Sequence, residues 1–440
     1  MIVLAVFLVL LGRWLRERRT GRPVTVDEKA PTFQVVALGL QGSGKTLLLA
    51  SMYQRLKAPA GQCYYLTASH DDVLLLNQWY AQMVDTAGSG DWPRGTAKGE
   101  TRQFTFTVKT PMAGTALTIL HLKYLEYAGE LLTEIQDAGS TKQKELFAQI
   151  DAADALIGVL DGHRIKQQID GHPEGSTHLE RTLNALLPVM IEATAPISFI
   201  ITKWDLLMDL RPDESTRLSI VHNLLTSNDL FRSLVNLHSA NRVVRLIPVS
   251  AVGPGFARID SRGEIVKVSR APAHPANVDV PLSAVVPDMF DQVENRLNQE
   301  ARLALSAEVR RRSRQGALEA LGSASLFAGQ MAGRALLAAF GPSAVAVGET
   351  MLGLFLDSRL GGSGDEGLRL DQELSEAERR VENLRLARRR VLYDMRRKVD
   401  MMEGRLPHSR LSDGHVTDGR FTGGPFSDGR FTDGRFSDGH

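Results

Sequence analysis

Between positions 32 and 250, short apolar runs rich in β-branched residues alternate with longer segments whose apolar positions recur every three or four residues. That alternation predicts strands separated by helices, and so an α/β domain with a mostly parallel sheet covered on both faces. The expected strands are 33–39 (FQVVALG), 102–108 (RQFTFTV), 116–126 (ALTILHLKYLE), 155–161 (ALIGVLD), 197–203 (ISFIITK) and 242–250 (RVVRLIPVS). ALIGVLD and ISFIIT are apolar without interruption, the pattern of central strands buried on both sides. Phe104, Phe106 and Val108 alternate with polar residues, which predicts a half-exposed edge strand. An additional helix is expected over 71–84, and a helix near 287–312 closes the domain, giving 32–312 as its span.

Beyond 312 the pattern changes. Residues 316–356 are rich in Ala, Gly and Leu with three charges, Glu319, Arg334 and Glu349, and Gly341-Pro342 divides them into two arms of an expected helical hairpin. Its second arm is short and carries a glutamate, so packing against protein is favoured over membrane insertion. In 368–404, Leu370, Leu374, Ala377, Val381, Leu384, Val391, Met395 and Met402 trace a heptad seam broken at Arg388, as in a coiled coil or a long helix packed on that hairpin. Residues 411–440 repeat every five positions around Asp-Gly with one Phe per unit, too little apolar surface for a core, and read as a disordered tail.

At the other end, residues 1–12 are uncharged and apolar, and Arg13, Arg16, Arg18, Arg19 and Arg22 follow. Positive charge behind the apolar run, with no small-residue cleavage site, predicts that 1–22 anchors the chain to a membrane, as a protein of the cell inner membrane or one associated with a membrane, with the remainder on the cytoplasmic side. The run is shorter than the roughly 17–25 residues of a spanning helix. Composition narrows the rest. The 52 basic and 51 acidic residues give a net charge of +1, so no global field draws the chain to nucleic acid, and the cluster Arg388, Arg389, Arg390, Arg396, Arg397 reads as a solvated face. Cys63 is the sole cysteine, which excludes an intrachain disulfide and a cysteine-built zinc cluster.

The candidate chemistry begins at GLQGSGKT, Gly39–Thr46, which fits G-x-x-x-x-G-K-[ST] directly after an expected strand and before an expected helix. Gly39, Gln41, Gly42, Ser43 and Gly44 supply a tight loop whose backbone N–H groups cradle phosphates. Lys45 reaches the outer phosphates and Thr46 offers its hydroxyl to Mg²⁺. Further on, ITKWD places Thr202, Lys203 and Asp205 at the end of one expected strand, and PVSAVG places Ser250 and Ala251 at the end of the next.

With these residues in this order the chain resembles Ras-like, translation-factor-related (TRAFAC-class) P-loop GTPases, whose guanine-reading motif is [NT]KxD and whose last motif contains Ser-Ala. The resemblance covers roughly 32–300 and implies a P-loop G domain that binds GTP and GDP with Mg²⁺. It implies that Asp205 accepts from guanine N1–H and the 2-amino group, that the Lys203 stem lies over the base, and that the Ala251 N–H meets the guanine carbonyl. In YLEYAGE, Glu126 stands where the family has Asp, and Gly129 keeps the glycine that contacts the terminal phosphate. Glu130 stands where many relatives place a water-orienting Gln. The metal set is then Thr46, Glu126 and a switch threonine, with Thr96 preferred over Thr101. A Trp-Pro loop before the second strand is similar to one in bacterial signalling GTPases.

Two classes of function stay open on the sequence. One is a membrane-tethered switch that hydrolyses GTP slowly and reports to a protein effector or through a homodimer. The other is a scaffold whose nucleotide-binding domain does not hydrolyse. An ATPase is disfavoured by the TKWD and Ser-Ala pair.

Overall fold

The computed structural model describes residues 30–87, 91–95, 101–112, 114–128, 141–239, 242–292 and 364–412. The expected membrane anchor 1–22, the hairpin 316–356, the end of the closing helix beyond 292 and the repeats from 413 onward lie outside the described residues. Among the described residues no helix is long and apolar enough to cross a membrane.

The fold is α/β. Seven strands, β1 (Thr32–Gly39), β2 (Tyr65–Thr67), β3 (Thr101–Met112), β4 (Thr115–Ala128), β5 (Ala155–Asp161), β6 (Ile197–Thr202) and β7 (Arg245–Pro248), form one sheet in the order β2-β3-β4-β1-β5-β6-β7. From β4 to β7 every pairing is parallel, and β2, β3 and β4 pair antiparallel. The uninterrupted apolar runs became central strands: every residue of β5 and β6 is buried, so both sheet faces are covered. β3 keeps the alternation read from its sequence but is not the outermost strand, because Tyr65–Thr67 pairs with Lys109–Thr107 and covers part of its edge. A three-residue strand carries too short a pattern to be read from sequence.

The helices are α1 (Lys45–Leu56), α2 (His70–Val84), α3 (Thr141–Asp151), α4 (Gly162–Ile169), α5 (Pro173–Ile191), α6 (Glu214–Thr226), α7 (Asp229–Ser239), α8 (280–292) and α9 (Gly364–Arg405). α2 begins at a Ser69 cap that accepts from the Asp72 N–H, with Asp71 and Asp72 in its first turn. The domain does not close at 312. Ala387, Val391, Leu392, Met395, Val399 and Met402 of α9 are buried in the same core as α1 and the central strands. The heptad seam of 368–404 therefore spends its second half on this domain rather than on a partner helix. Leu411, read from sequence as tail, is docked too: its N–H donates to Val244 O at 2.9 Å, and Ser412 Oγ accepts from the Val244 N–H at 3.1 Å.

Polar ties fix α9 in place. Lys398 Nζ donates to Asp279 (2.7 Å) and Gln62 (2.6 Å), and the Cys63 N–H donates to Asp394 (3.1 Å). Arg245 joins Asp288 of α8 to Glu403 of α9. Burial pushes the Asp288 carboxyl up to about 6 despite the adjacent guanidinium. An unfolded aspartate titrates near 3.9, so between about pH 4 and 6 the folded protein holds a proton that the unfolded chain has lost. This contribution favours the fold at lower pH and is lost as pH rises through about 6. Asp288→Asn should therefore flatten the pH dependence of stability. The urea midpoint measured at pH 4.5 and 7.5 should show wild type losing on the order of 1–3 kcal/mol more than the variant across that interval.

Candidate functional site

The parallel strands β1, β5, β6 and β7 bring their C-terminal ends side by side, and a cavity of about 450 Å³ lies there. Its first end is built by the turn that links β1 to α1. Gly44 has φ 88°, and its backbone lies so close to Thr202 that an added Cβ would stand 3.4 Å from that side chain. α1 starts at Lys45 with no side chain capping its first turn, so its N–H groups point toward the cavity end of the helix. Lys45 is buried, and its Nζ donates to Gly39 O (2.5 Å) and Leu40 O (3.1 Å). Thr46 Oγ1 donates to Glu126 Oε1 at 3.0 Å. Glu126 comes from the neighbouring strand, in register with Ala37 of β1, and is buried. Gln41 and Gly42 are exposed at the tip of the turn.

Thr202 closes the same corner. Its hydroxyl sits 2.5 Å from Ser43 O and 3.1 Å from Leu160 O, so one buried side chain joins the turn after β1 to the ends of β5 and β6. Lys203 follows in the left-handed region, φ 52°, a conformation uncommon outside glycine and asparagine. It is held there by Nζ donating to Asp161 Oδ2 at 2.7 Å and by the next N–H, of Trp204, donating to Val249 O. Asp161 uses its other oxygen to cap α4 through the His163 N–H, 2.9 Å away.

At the second end, Asp205 accepts from the Ser250 hydroxyl, and that hydroxyl oxygen accepts in turn from the Gly253 N–H at 2.7 Å. Burial raises the Asp205 carboxyl above its ordinary range, and the Ser250 hydrogen bond and the Lys203 charge partly offset this. Ala251 lines the cavity, and its carbonyl accepts from Ser51 Oγ of α1 at 2.9 Å, which ties the two ends together. Gly253 is fixed by both conformation and space, since φ is 85° and a Cβ would meet His274 O at 1.9 Å.

The structure thus brings Gln41, Gly42, Gly44, Lys45, Thr46, Glu126, Thr202, Lys203, Asp205 and Ala251 to the lining of a single cavity, with Gly39, Ser43 and Ser250 behind it as hydrogen-bond partners of Lys45, Thr202 and Asp205. Thr96, Gly129 and Glu130 lie outside the described residues. Sequence reading missed several contributors. Asp161, the last residue of ALIGVLD, was legible as the one acid ending an apolar strand. His163 and His178 line the wall beside it, and burial lowers both imidazoles below their ordinary range. His163 Nε2 is buried with no hydrogen-bond partner among the described residues.

The hairpin that roofs the cavity was not read from the sequence, although the Trp-Pro loop it meets was. After Ala251 the chain forms a small hairpin, β8 (Ala257–Ile259) and β9 (Ile265–Lys267), and this meets the loop containing Trp92. Trp92 Nε1 donates to Ile265 O at 2.9 Å. Lys267 Nζ lies 5.0 Å from the Trp92 ring centre and donates to three carbonyls, Gln82 (2.7 Å), Asp91 (2.8 Å) and Asp85 (2.9 Å). One ammonium with three donors thereby satisfies three main-chain acceptors of another segment.

The set of groups suits an anionic ligand at the first end and a ligand with paired N–H donors at the second. No protein-family model matches the chain, and a search of curated proteins finds no match.

Lys267→Met keeps the stem over the indole and removes all three donors. It should leave the melting temperature nearly unchanged while hydrogen exchange accelerates by about tenfold, the equivalent of one charge-assisted hydrogen bond, in the amides around 82–95 and 257–267. Mass-resolved exchange measures it, and unchanged protection there would show that Lys267 is not what pins the roof.

Proposed function

We propose that this protein is a guanine-nucleotide-binding P-loop protein of the Ras-like kind that hydrolyses GTP slowly and acts as a nucleotide-dependent switch at a membrane. The observation that carries the reading is the placement, around one cavity, of a glycine turn with Lys45 and Thr46 at one end and Asp205 with Ala251 at the other. Backbone N–H groups and Lys45 suit di- and triphosphates. A carboxylate at Asp205 matches two adjacent donors on guanine and leaves adenine without a partner. Lys203, held by Asp161, supplies a stem for one face of the base.

The residues fit a divalent cation. Thr46 Oγ1 and Glu126 Oε1 meet on one side of the cavity, a hydroxyl and a carboxylate that would face the ion directly or through water, and Mg²⁺ commonly takes one or two carboxylates besides phosphate oxygens. When bound, Mg²⁺ neutralises charge on the β- and γ-phosphates. Thr46 and Glu126 would hold it. Lys45 would exchange its carbonyl partners for phosphate oxygens, and the roof over Trp92 would exclude water from the base end. Slow turnover follows from Glu130, which as a carboxylate accepts but cannot donate to a phosphate oxygen as Gln does. A non-hydrolysing scaffold remains the competing reading, and it shares every binding residue named above.

Phosphate release from the full chain with GTP and with ATP separates the readings. GTP should turn over at about 10⁻⁴ to 10⁻³ per second without a partner, and ATP not at all. No release from bound GTP would favour the scaffold, and release from ATP as fast as from GTP would remove the guanine assignment.

Base selection has its own test. Asp205→Asn should weaken GTP strongly and shift preference to xanthine nucleotides. Loss of a polar reader of this type changes discrimination by up to roughly 10⁴–10⁵, which is well within reach of equilibrium titration with GDP, XDP and ADP.

A further inference from the structure

The exposed side of α9 is not an ordinary solvated helix. Leu386, Tyr393 and Met401 are 46%, 71% and 61% exposed. With Arg389, Arg390 and Arg397 they form a line at spacings of three and four, opposite the buried Val391, Met395, Val399 and Met402. Among the described residues the acids near this line are few. Glu382 is 3.8 Å from Arg385, and Asp400 is exposed at the far end. Asp394 is turned in to the Cys63 N–H, Glu403 is held by Arg245, and Arg396 is paired with Asp291. The line itself carries three guanidinium groups interleaved with large apolar side chains, the composition that suits an interface between water and anionic lipid.

Its position agrees. Arg388 lies 5.1 Å from the centre of the Phe290 ring, and Phe290 packs edge-on against Phe33 at 5.2 Å, in the first turn of the chain into β1. Gln292 of α8 donates to Thr194 O, just before β6. α8 and this part of α9 therefore meet the sheet where its parallel strands begin, whereas the cavity lies where they end. Residues 1–22, with their apolar run and five arginines, join Thr32 through only nine residues, which span at most about 35 Å even when fully extended.

We propose that the Leu386–Met401 face of α9 lies on an anionic lipid surface, so that the domain sits with the starts of its strands toward the membrane and its cavity away from it. This rests on the membrane part of the reading above and is independent of which nucleotide binds. The neutral or anionic character of the lipid is the discriminating variable, because an apolar anchor partitions into either, and three arginines respond to one of them.

The test places an environment-sensitive fluorophore on the full chain at Tyr393→Cys, in a Cys63→Ser background, with Met208→Cys as a label at the cavity end. Vesicles of phosphatidylcholine, alone or with about 30% phosphatidylserine, carry brominated acyl chains as quenchers. The label at 393 should be quenched on the anionic vesicles, released by high salt, and little affected on neutral ones, while the label at 208 stays bright on both. Arg389→Glu, Arg390→Glu and Arg397→Glu together should lower the quenched population at 393 by roughly a hundredfold in apparent affinity, with flotation through residues 1–22 retained. Equal behaviour of the two labels overturns the proposal. So does a change at 393 that follows protein concentration without vesicles, which would mean that a second copy covers the face. Failure of the full chain to float with any vesicle overturns both the anchor and the face, whereas flotation without quenching at 393 overturns the face alone.

Discussion

The arrangement around the cavity depends on one hydroxyl. Thr202 Oγ1 lies between Ser43 O and Leu160 O, and through it three segments that are far apart in sequence hold a common level: the turn after β1, the end of β5 and the end of β6. The hydroxyl has one proton and gives it to one of the two carbonyls at a time, a bond that contributes on the order of 1 kcal/mol and sets the spacing at this buried corner. The parallel register brings the strand ends close. Thr202 fixes how close, and Lys203 can occupy its left-handed conformation because the residue before it is anchored and Asp161 receives its ammonium.

Much of this was legible in the sequence, and the reason lies in how each element is encoded. ALIGVLD and ISFIIT are uninterrupted apolar runs whose burial on both faces leaves no other reading. The turn from Gly39 to Thr46 and the pair TKWD and Ser-Ala are short, contiguous and tied to strand ends, so order along the chain stood in for proximity in space. What escaped was encoded over long separations. Lys267 meets the carbonyls of Gln82, Asp85 and Asp91 across more than 170 positions, and no local pattern announces such a bond. α9 escaped for a different reason: Val391, Met395 and Met402 have the same spacing whether the partner is a second helix or this domain's own core, because periodicity records a buried face and not what buries it.

Charge shows the same division. The near equality of acidic and basic residues conceals a strongly sorted distribution. Arg245 with Asp288 and Glu403, and Lys398 with Asp279, place opposite charges on elements that must come together for the C-terminal helix to dock. Half-buried pairs of this kind add little net stability but penalise any arrangement that leaves one member alone. They specify where α9 sits more than they hold it there, and the apolar side chains Val391, Met395, Val399 and Met402 supply the adhesion.

The pairing of the chain after α9 with the outer strand has a consequence for how copies of this protein can meet. A sheet ends in rows of unpaired main-chain groups that invite the strands of a neighbour. Here one margin is β2, only three residues long, and the other is β7, where the segment around Arg410 and Leu411 adds an antiparallel bridge and a main-chain hydrogen bond of its own. Among the described residues the β7 margin is closed in this way, whereas β3 from Thr101 to Phe106 runs on beyond the short β2. Growth of the sheet from molecule to molecule is thereby blunted on the β7 side, and the side left for a neighbour's strand is that of β3.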